Sequence, residues 1–211
     1  MIAHTTNNHM PLQATATRMF SEAAQAASVV QQQLERNQST VKRIGNWLRN
    51  HEPGFVITVA RGSSDHAACY ARYLLETRTG LFTASTGPSV ISVYNTKMKF
   101  SGCLCLLISQ SGASPDLLAA AAAAREGGAF VVALVNVADS PLARLADEVL
   151  ELHAGPETSV AATKSFIASL TAVIHLLTEW QPDKTLSAAL KGTPALLARA
   201  WECNWDDAIA P

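Results

Sequence analysis

From residue 55 onward the chain alternates short apolar runs with segments of helical spacing. The runs are FVITVA at Phe55–Ala60, Leu81–Ser85, CLCLLI at Cys103–Ile108, FVVALV at Phe130–Val135, and Glu148–Leu152. Each is short and bounded by turn-forming residues, and the first, third and fourth are almost wholly apolar, so each is read as a strand. Runs that are apolar on both faces belong to strands covered on both sides, as in a parallel sheet. Between them, Asp65–Arg78 places Ala67, Ala71, Leu74 and Leu75 on one helical face. Gly87-Pro88 opens a helical turn carrying Val90, Ile91 and Tyr94, and Pro115 starts an alanine-rich helix that stops at Gly127-Gly128. Ser140-Pro141 starts a short helix, and a longer one runs from Thr163 to Glu179.

The flanks are helical as well. Met19, Ala23, Ala26, Val30 and Leu34 predict a helix from Thr17 to Asn37. Ser39 is placed to cap a second one, with Val41, Ile44, Trp47 and Leu48 on one face and a stop at Pro53-Gly54. Beyond Pro182, Leu186–Lys191 and Pro194–Trp205 predict two more. The expected organisation is a frayed terminus at 1–16, helices packing on the domain at 17–50, an α/β domain at 51–181 and closing helices at 182–211. Right-handed crossovers leave doubly wound topologies, and five strands favour a flavodoxin-like parallel sheet of order 2-1-3-4-5.

Composition narrows the function classes. The chain has 211 residues, 48% hydrophobic and 16% charged, with a net charge of −1. No basic excess points to nucleic acid and no acidic run to a solvating tail. Low charge with much alanine suggests a surface covered by a partner subunit. The cysteines at 69, 103, 105 and 203 form no C-x-x-C pair, which argues against zinc or thioredoxin-like chemistry. Cys103 and Cys105 read as buried strand residues. Met1–Gln13 has neither the basic start nor the apolar stretch of a signal peptide, and no run of about 18 apolar residues suits a membrane. A cytoplasmic location without membrane contact is expected.

Candidate chemistry lies in the loops. In open α/β sheets ligands sit beyond the carboxyl ends of the strands, at the switch point between the first and third. After strand one comes Arg61-Gly62-Ser63-Ser64-Asp65, and after strand three Ser109-Gln110-Ser111-Gly112-Ala113-Ser114. Both are rich in hydroxyls, contain glycine and run straight into a helix. Helix N-termini offer free N–H groups and partial positive charge, which suits a phosphate. Neither loop contains lysine, so dipoles and hydroxyls would carry the anion, with no metal or other cofactor. The alternative is that these serines only cap helices. No G-x-x-x-x-G-K-S/T and no G-x-G-x-x-G after strand one occurs, which excludes a P-loop and a dinucleotide site. A third loop, His153–Ser165, gathers His, Glu, Lys and hydroxyls, but strand five lies away from the switch point. It must fold back across the sheet to share a site with the others, or serve a partner.

Three segments, ARGSSDHAACYARYLLE, ISQSGASPDLL and AGPETSVAATKSF, together resemble the sugar isomerase (SIS) family. The likeness is to the first SIS half of glucosamine-6-phosphate synthases, and equally to aminosugar-phosphate deaminases and ketose–aldose isomerases. It covers about residues 18–207. It implies that Ser109, Gln110, Ser111 and Ser114 hold the phosphate with Ser64, while Gly62 and Ser63 shape the first loop. It also implies that Val160 and Ala161 present backbone groups to the sugar. Ala162 stands where the synthases have serine. Thr163 and Lys164 match the family pattern and stand among the implied substrate-binding residues, Thr163 otherwise being a helix cap and Lys164 a loop tether. In the relatives the catalytic glutamate, the ring-opening histidine and a C-terminal lysine come from a second half or the tail. The helices at 182–211 would lead toward such a half.

Aldose–ketose isomerisation moves a proton between two carbons through an enediol, which one carboxylate can serve. Within these residues Glu157 is the candidate base, or else a loop-stabilising glutamate. His66 is the candidate for ring opening, or else a helix-face histidine. His153 and His175 read as structural, and Asp65 as a cap or a charge in the helix dipole field. Two functions stay open: an isomerase or deaminase acting on a hexose or aminohexose 6-phosphate, and a non-catalytic module that binds or senses one. A homodimer or larger homo-oligomer is expected, since a single half leaves the sugar site open on one side.

Overall fold

The computed structural model describes residues 13–205. The expected frayed terminus therefore falls largely outside the described residues, as do residues 206–211. Ala14–Ala16 form a 3-10 turn. Five strands follow: β1 (Phe55–Ala60), β2 (Thr83–Ser85), β3 (Cys103–Ser109), β4 (Phe130–Val135) and β5 (Glu148–Glu151). All pair in parallel, in the order β2-β1-β3-β4-β5. This is the doubly wound flavodoxin-like sheet read from the sequence. The edge strands are shorter than expected, with Leu81, Phe82 and Leu152 outside the ladders.

The strand period divides the apolar runs between two cores. Val56, Leu104, Leu106, Val132 and Leu134 face one cluster, while Val59, Cys105, Leu107, Val131 and Ala133 face the other. Helices α2 (Ala26–His51), α3 (Ser63–Thr79) and α7 (Lys164–Trp180) cover the first face. The second is covered by α4 (Ser89–Ser92), α5 (Pro115–Glu126) and α6 (Pro141–Leu145). Cys103 and Cys105 sit in the second core as unpaired thiols. Burial pushes the Cys103 thiol up to about 11 and Cys105 further still, so neither is a thiolate near neutrality.

The flanking helices depart from the sequence reading. A short α1 (Arg18–Ala23), capped by the Thr17 hydroxyl, ends at Ala24-Gln25, and α2 then runs unbroken through Ser39, which caps nothing. Its inward stripe is Val30, Gln33, Asn37, Val41, Ile44 and Leu48. Two of those positions are polar, which hid the continuity. Both are satisfied: Gln33 donates to the carbonyls of Leu152 (3.2 Å) and Ala168 (2.9 Å) and accepts from the Thr171 hydroxyl (2.7 Å). Asn37 Nδ2 donates to the Glu151 carbonyl at 2.7 Å. At the other end, α8 (Lys184–Trp201) is one helix where two were expected, with Pro194 inside it. An interior proline costs about 3 kcal/mol. Pro194 and Leu190 are the buried residues of α8, so packing offsets the missing N–H. Among the described residues no helix is long and apolar enough to cross a membrane.

Candidate functional site

Register brings the first two loops side by side: Ala60 at the end of β1 pairs with Ile108 near the end of β3. After β1 the chain turns at Gly62 (φ 58°) directly into α3. After β3 it turns at Gly112 (φ 61°) into α5, with Pro115 in the first turn. The Ser109 hydroxyl accepts from the Gly112 N–H at 3.0 Å, and the Ser111 hydroxyl from the Ala113 N–H at 3.3 Å. The Gly112 carbonyl accepts from the Leu142 N–H at 2.9 Å, which ties the loop to the start of α6.

The helix-capping alternative fails at a key position. Ser114 stands at the N-cap of α5, yet its side chain makes no capping bond. Among the described residues, the hydroxyls of Ser63, Ser64 and Ser114 have no hydrogen-bond partner. Two helix N-termini thus converge with hydroxyls left open.

The third loop does fold back. The Leu152 N–H continues along the β4 carbonyls, donating to Val135 at 2.8 Å. His153 then takes a left-handed turn (φ 53°). Asn136, just past β4, accepts from the Ala154 N–H (2.8 Å) and donates to the Gly155 carbonyl (2.7 Å). Its own N–H donates to the Gln110 carbonyl at 3.3 Å, so one asparagine joins the second loop to the third. The result is an open cleft of about 210 Å³. Loop one contributes Arg61, Ser63 and Ser64; loop two, Ser109, Gln110, Ser111 and Ser114; loop three, Val160 and Ala162; Ile108 and Leu117 complete it. That is smaller than the ~300–1,000 Å³ of drug-sized pockets, and it suits a small polar group.

Other expected site residues are placed elsewhere. His66 is exposed on the first turn of α3 and does not line the cleft. Lys164 is buried, 2% exposed, with its ammonium on Gln25 Oε1 at 2.7 Å, which is the tether geometry and not a cleft contact. Thr163 stands at the N-cap of α7, but its hydroxyl donates to Glu157 at 3.1 Å instead of capping. The Glu157 carboxylate accepts from Thr163 N–H (3.0 Å), Ser165 N–H (3.2 Å) and the Ser165 hydroxyl, so it does the capping that Thr163 does not. Ala161 is exposed beside the cleft, its carbonyl accepting from the Ser159 hydroxyl at 3.3 Å. No carboxylate or imidazole lines the cleft among the described residues.

The two other histidines of interest lie away from the cleft. His153 Nε2 meets Asn37 Oδ1 at 3.2 Å, and Asn37 already donates through Nδ2, so this contact requires a proton on Nε2. Burial lowers the pKa of His153, against the opposing pull of Glu151. Burial likewise lowers that of His175. Among the described residues no group of three His, Cys, Asp or Glu side chains is disposed to hold a metal.

Several contributors escaped the sequence reading. Arg61 is the cation lining the cleft, and it pairs with Asp116 in the first turn of α5. Glu22, 7% exposed on α1, accepts from the N–H and hydroxyl groups of both Thr158 and Ser159. The Ser159 hydroxyl first, and the Thr158 N–H next, hold its carboxyl down to about 2. One signal was available: Glu22 lies on the same helical stripe as Met19 and Ala26, where a charge demands a partner.

The SIS domain family profile matches residues 52–179. A glutamine–fructose-6-phosphate aminotransferase (isomerizing) from Sulfolobus acidocaldarius is 40% identical over 133 residues, 63% of this chain and 22% of that protein. A crystal structure from Silicibacter pomeroyi DSS-3, provisionally described as a phosphosugar isomerase, aligns with a TM-score of 0.88 at 46% identity. That alignment covers 90% of this chain and 58% of the other. The Vibrio vulnificus NanR protein complexed with ManNAc-6P shares the fold, with a TM-score of 0.67 at 22% identity over 87% of this chain and 70% of that one. The chain thus spans under a quarter of the aminotransferase and rather more than half of the Silicibacter protein. With five parallel strands in SIS order and the matched segment spanning all of them, this chain belongs to the SIS domain family.

Proposed function

We propose that the cleft binds the phosphate of a hexose or aminohexose 6-phosphate, and that the chain serves aldose–ketose isomerisation or deamination of that sugar as its phosphate-binding face. The carrying observation is the convergence of two helix N-termini whose Ser63, Ser64 and Ser114 hydroxyls are unengaged among the described residues. A dianion there receives N–H groups, hydroxyls and helix dipoles together. Arg61 adds a full positive charge. Its pairing with Asp116 is 63% exposed on the arginine side, and such pairs contribute only about 0–1 kcal/mol, so the guanidinium is free to turn toward a phosphate. Val160 and Ala162 would face the sugar. This binding calls for no cofactor, and free thiols fit work in the cytosol.

The proton-moving carboxylate is proposed to come from a second SIS-type unit, another copy or another domain, that closes the open side of the cleft. The lining among the described residues, hydroxyls, one guanidinium and small apolar groups, supports this division. It equally favours a second reading, a module that binds the sugar phosphate without turning it over. Turnover of a panel of hexose and aminohexose 6-phosphates separates the two: conversion supports the enzyme, and binding without conversion supports the module. Light scattering at micromolar concentration is expected to give at least twice the chain mass; a monomer that turns over substrate would contradict the shared site.

Ser111→Ala tests the cleft itself. Removing one hydrogen bond to a charged group costs about 1.5–3 kcal/mol, or about 10- to 100-fold in affinity. Calorimetric titration with fructose 6-phosphate and glucosamine 6-phosphate reads it directly, and unchanged affinity overturns the assignment.

A further inference from the structure

We propose that Glu22 is a positioning residue for the phosphate cleft: from the short helix α1 its carboxylate grips the third loop at Thr158 and Ser159 and so fixes the arch at 160–162 that closes one wall. This rests on the reading of the cleft as a sugar-phosphate site. The grip is symmetric. One carboxylate oxygen accepts from the Thr158 N–H (2.7 Å) and hydroxyl (3.3 Å), and the other from the Ser159 N–H (3.2 Å) and hydroxyl. Arg18, one turn earlier on α1, reaches the Thr158 hydroxyl at 3.4 Å.

A second anchor stands on the same elbow. Gln25, at the break between α1 and α2, accepts from the buried Lys164 ammonium at 2.7 Å. Glu22 and Gln25 therefore hold the two shoulders of the segment from 158 to 164. Between them, Val160 is fully exposed and lines the cleft with Ala162. An exposed valine on a loop has no packing to hold it, so its place over the cleft is set by its anchored neighbours. Freed from Glu22, the arch would have to be ordered anew by each ligand, and conformational entropy opposes that. The carboxylate suits the task, since it is acceptor-only and four donors converge on it.

Titration of the full chain with fructose 6-phosphate tests this against Ser111→Ala and against Ile44→Val, a change in the α2 core away from the cleft. Glu22→Ala is expected to weaken binding about 10- to 100-fold. Glu22→Gln, which keeps one acceptor but turns an N–H toward a donor, falls between it and the parent chain. Ile44→Val lowers the unfolding midpoint and leaves affinity unchanged. Amide exchange at Thr158 and Ser159 is expected to quicken in Glu22→Gln, which keeps the test alive if Glu22→Ala does not fold. Weakened binding in Ser111→Ala beside parental affinity in both Glu22 variants overturns the bracket and leaves the cleft standing. Unchanged exchange at 158–159 in Glu22→Gln overturns it too. Parental affinity in Ser111→Ala overturns the cleft reading and the bracket with it.

Discussion

Gly112→Ala is expected to destabilise the fold by about 3–6 kcal/mol, from the sum of the three effects below, and to abolish sugar-phosphate binding in whatever folds. Gly112 has φ 61°, a left-handed conformation that costs an alanine about 1–2 kcal/mol. A Cβ added there would lie 2.2 Å from Ser140 Oγ and 2.5 Å from Ser140 Cβ. Rotating the serine hydroxyl away relieves only the first contact, and it breaks the cap in which that hydroxyl accepts from Ala143 N–H at 3.3 Å. Losing such a cap costs about 1 kcal/mol. The remaining clash must push the loop or α6 aside, an overpacking of about 1–3 kcal/mol. Since domains are stable by only about 5–15 kcal/mol, the effect is large. It also falls on the loop that carries Ser109, Gln110 and Ser111. Urea midpoints and fructose 6-phosphate titration measure both effects. Pairing the change with Ser140→Gly separates the causes: the double variant recovers the overpacking but not the left-handed strain or the cap, so the two changes are non-additive. A Gly112→Ala chain with the parental midpoint would show that the loop has more room than this geometry allows.

The sheet was legible because its signal is local. Each buried strand is a short apolar run closed by turn residues, and period two sends alternate residues to opposite cores without further instruction. Parallel order then followed from the alternation with helices. That the two hydroxyl-rich loops lie side by side was legible for a related reason: their place is set by strand ends, and Ala60 and Ile108 do pair. What the sequence concealed is non-local. Gln33 and Asn37 look like breaks in an apolar stripe until their partners on α7 and at the end of β5 are seen. Glu22 lies 136 residues from Thr158, and no spacing rule links them. Capping was the weakest inference, because a hydroxyl at the right position can point elsewhere. Ser140 caps α6 as read, Ser39 lies inside a helix, and Ser114 and Thr163 hold N-cap positions without capping by their side chains.

Glu157 is where two readings of one residue give opposite expectations. As a catalytic base, it would lose turnover on conversion to Gln while stability stayed put. Its geometry points the other way: both oxygens are taken by the first turn of α7, where a negative charge also meets the positive end of the helix dipole. Glu157→Ala would leave the Thr163 and Ser165 N–H groups without their acceptor, and Ser165 is 2% exposed, so water cannot replace it there. An orphaned buried donor, here the Ser165 N–H, costs about 1–3 kcal/mol, and with the half-buried Thr163 N–H and the lost charge the expected destabilisation is roughly 2–4 kcal/mol. Glu157→Gln keeps a carbonyl for the N–H groups, and the Ser165 hydroxyl can reverse to accept from the amide, so its cost is expected to be about 1 kcal/mol. The order of stabilities should therefore be parent, Gln, Ala, with sugar-phosphate affinity falling in the same order as the start of α7 loosens the arch before it. Thermal or urea unfolding with parallel titration decides the matter. A Gln variant of parental stability and affinity that has lost turnover would return Glu157 to catalysis and place the base within this chain after all.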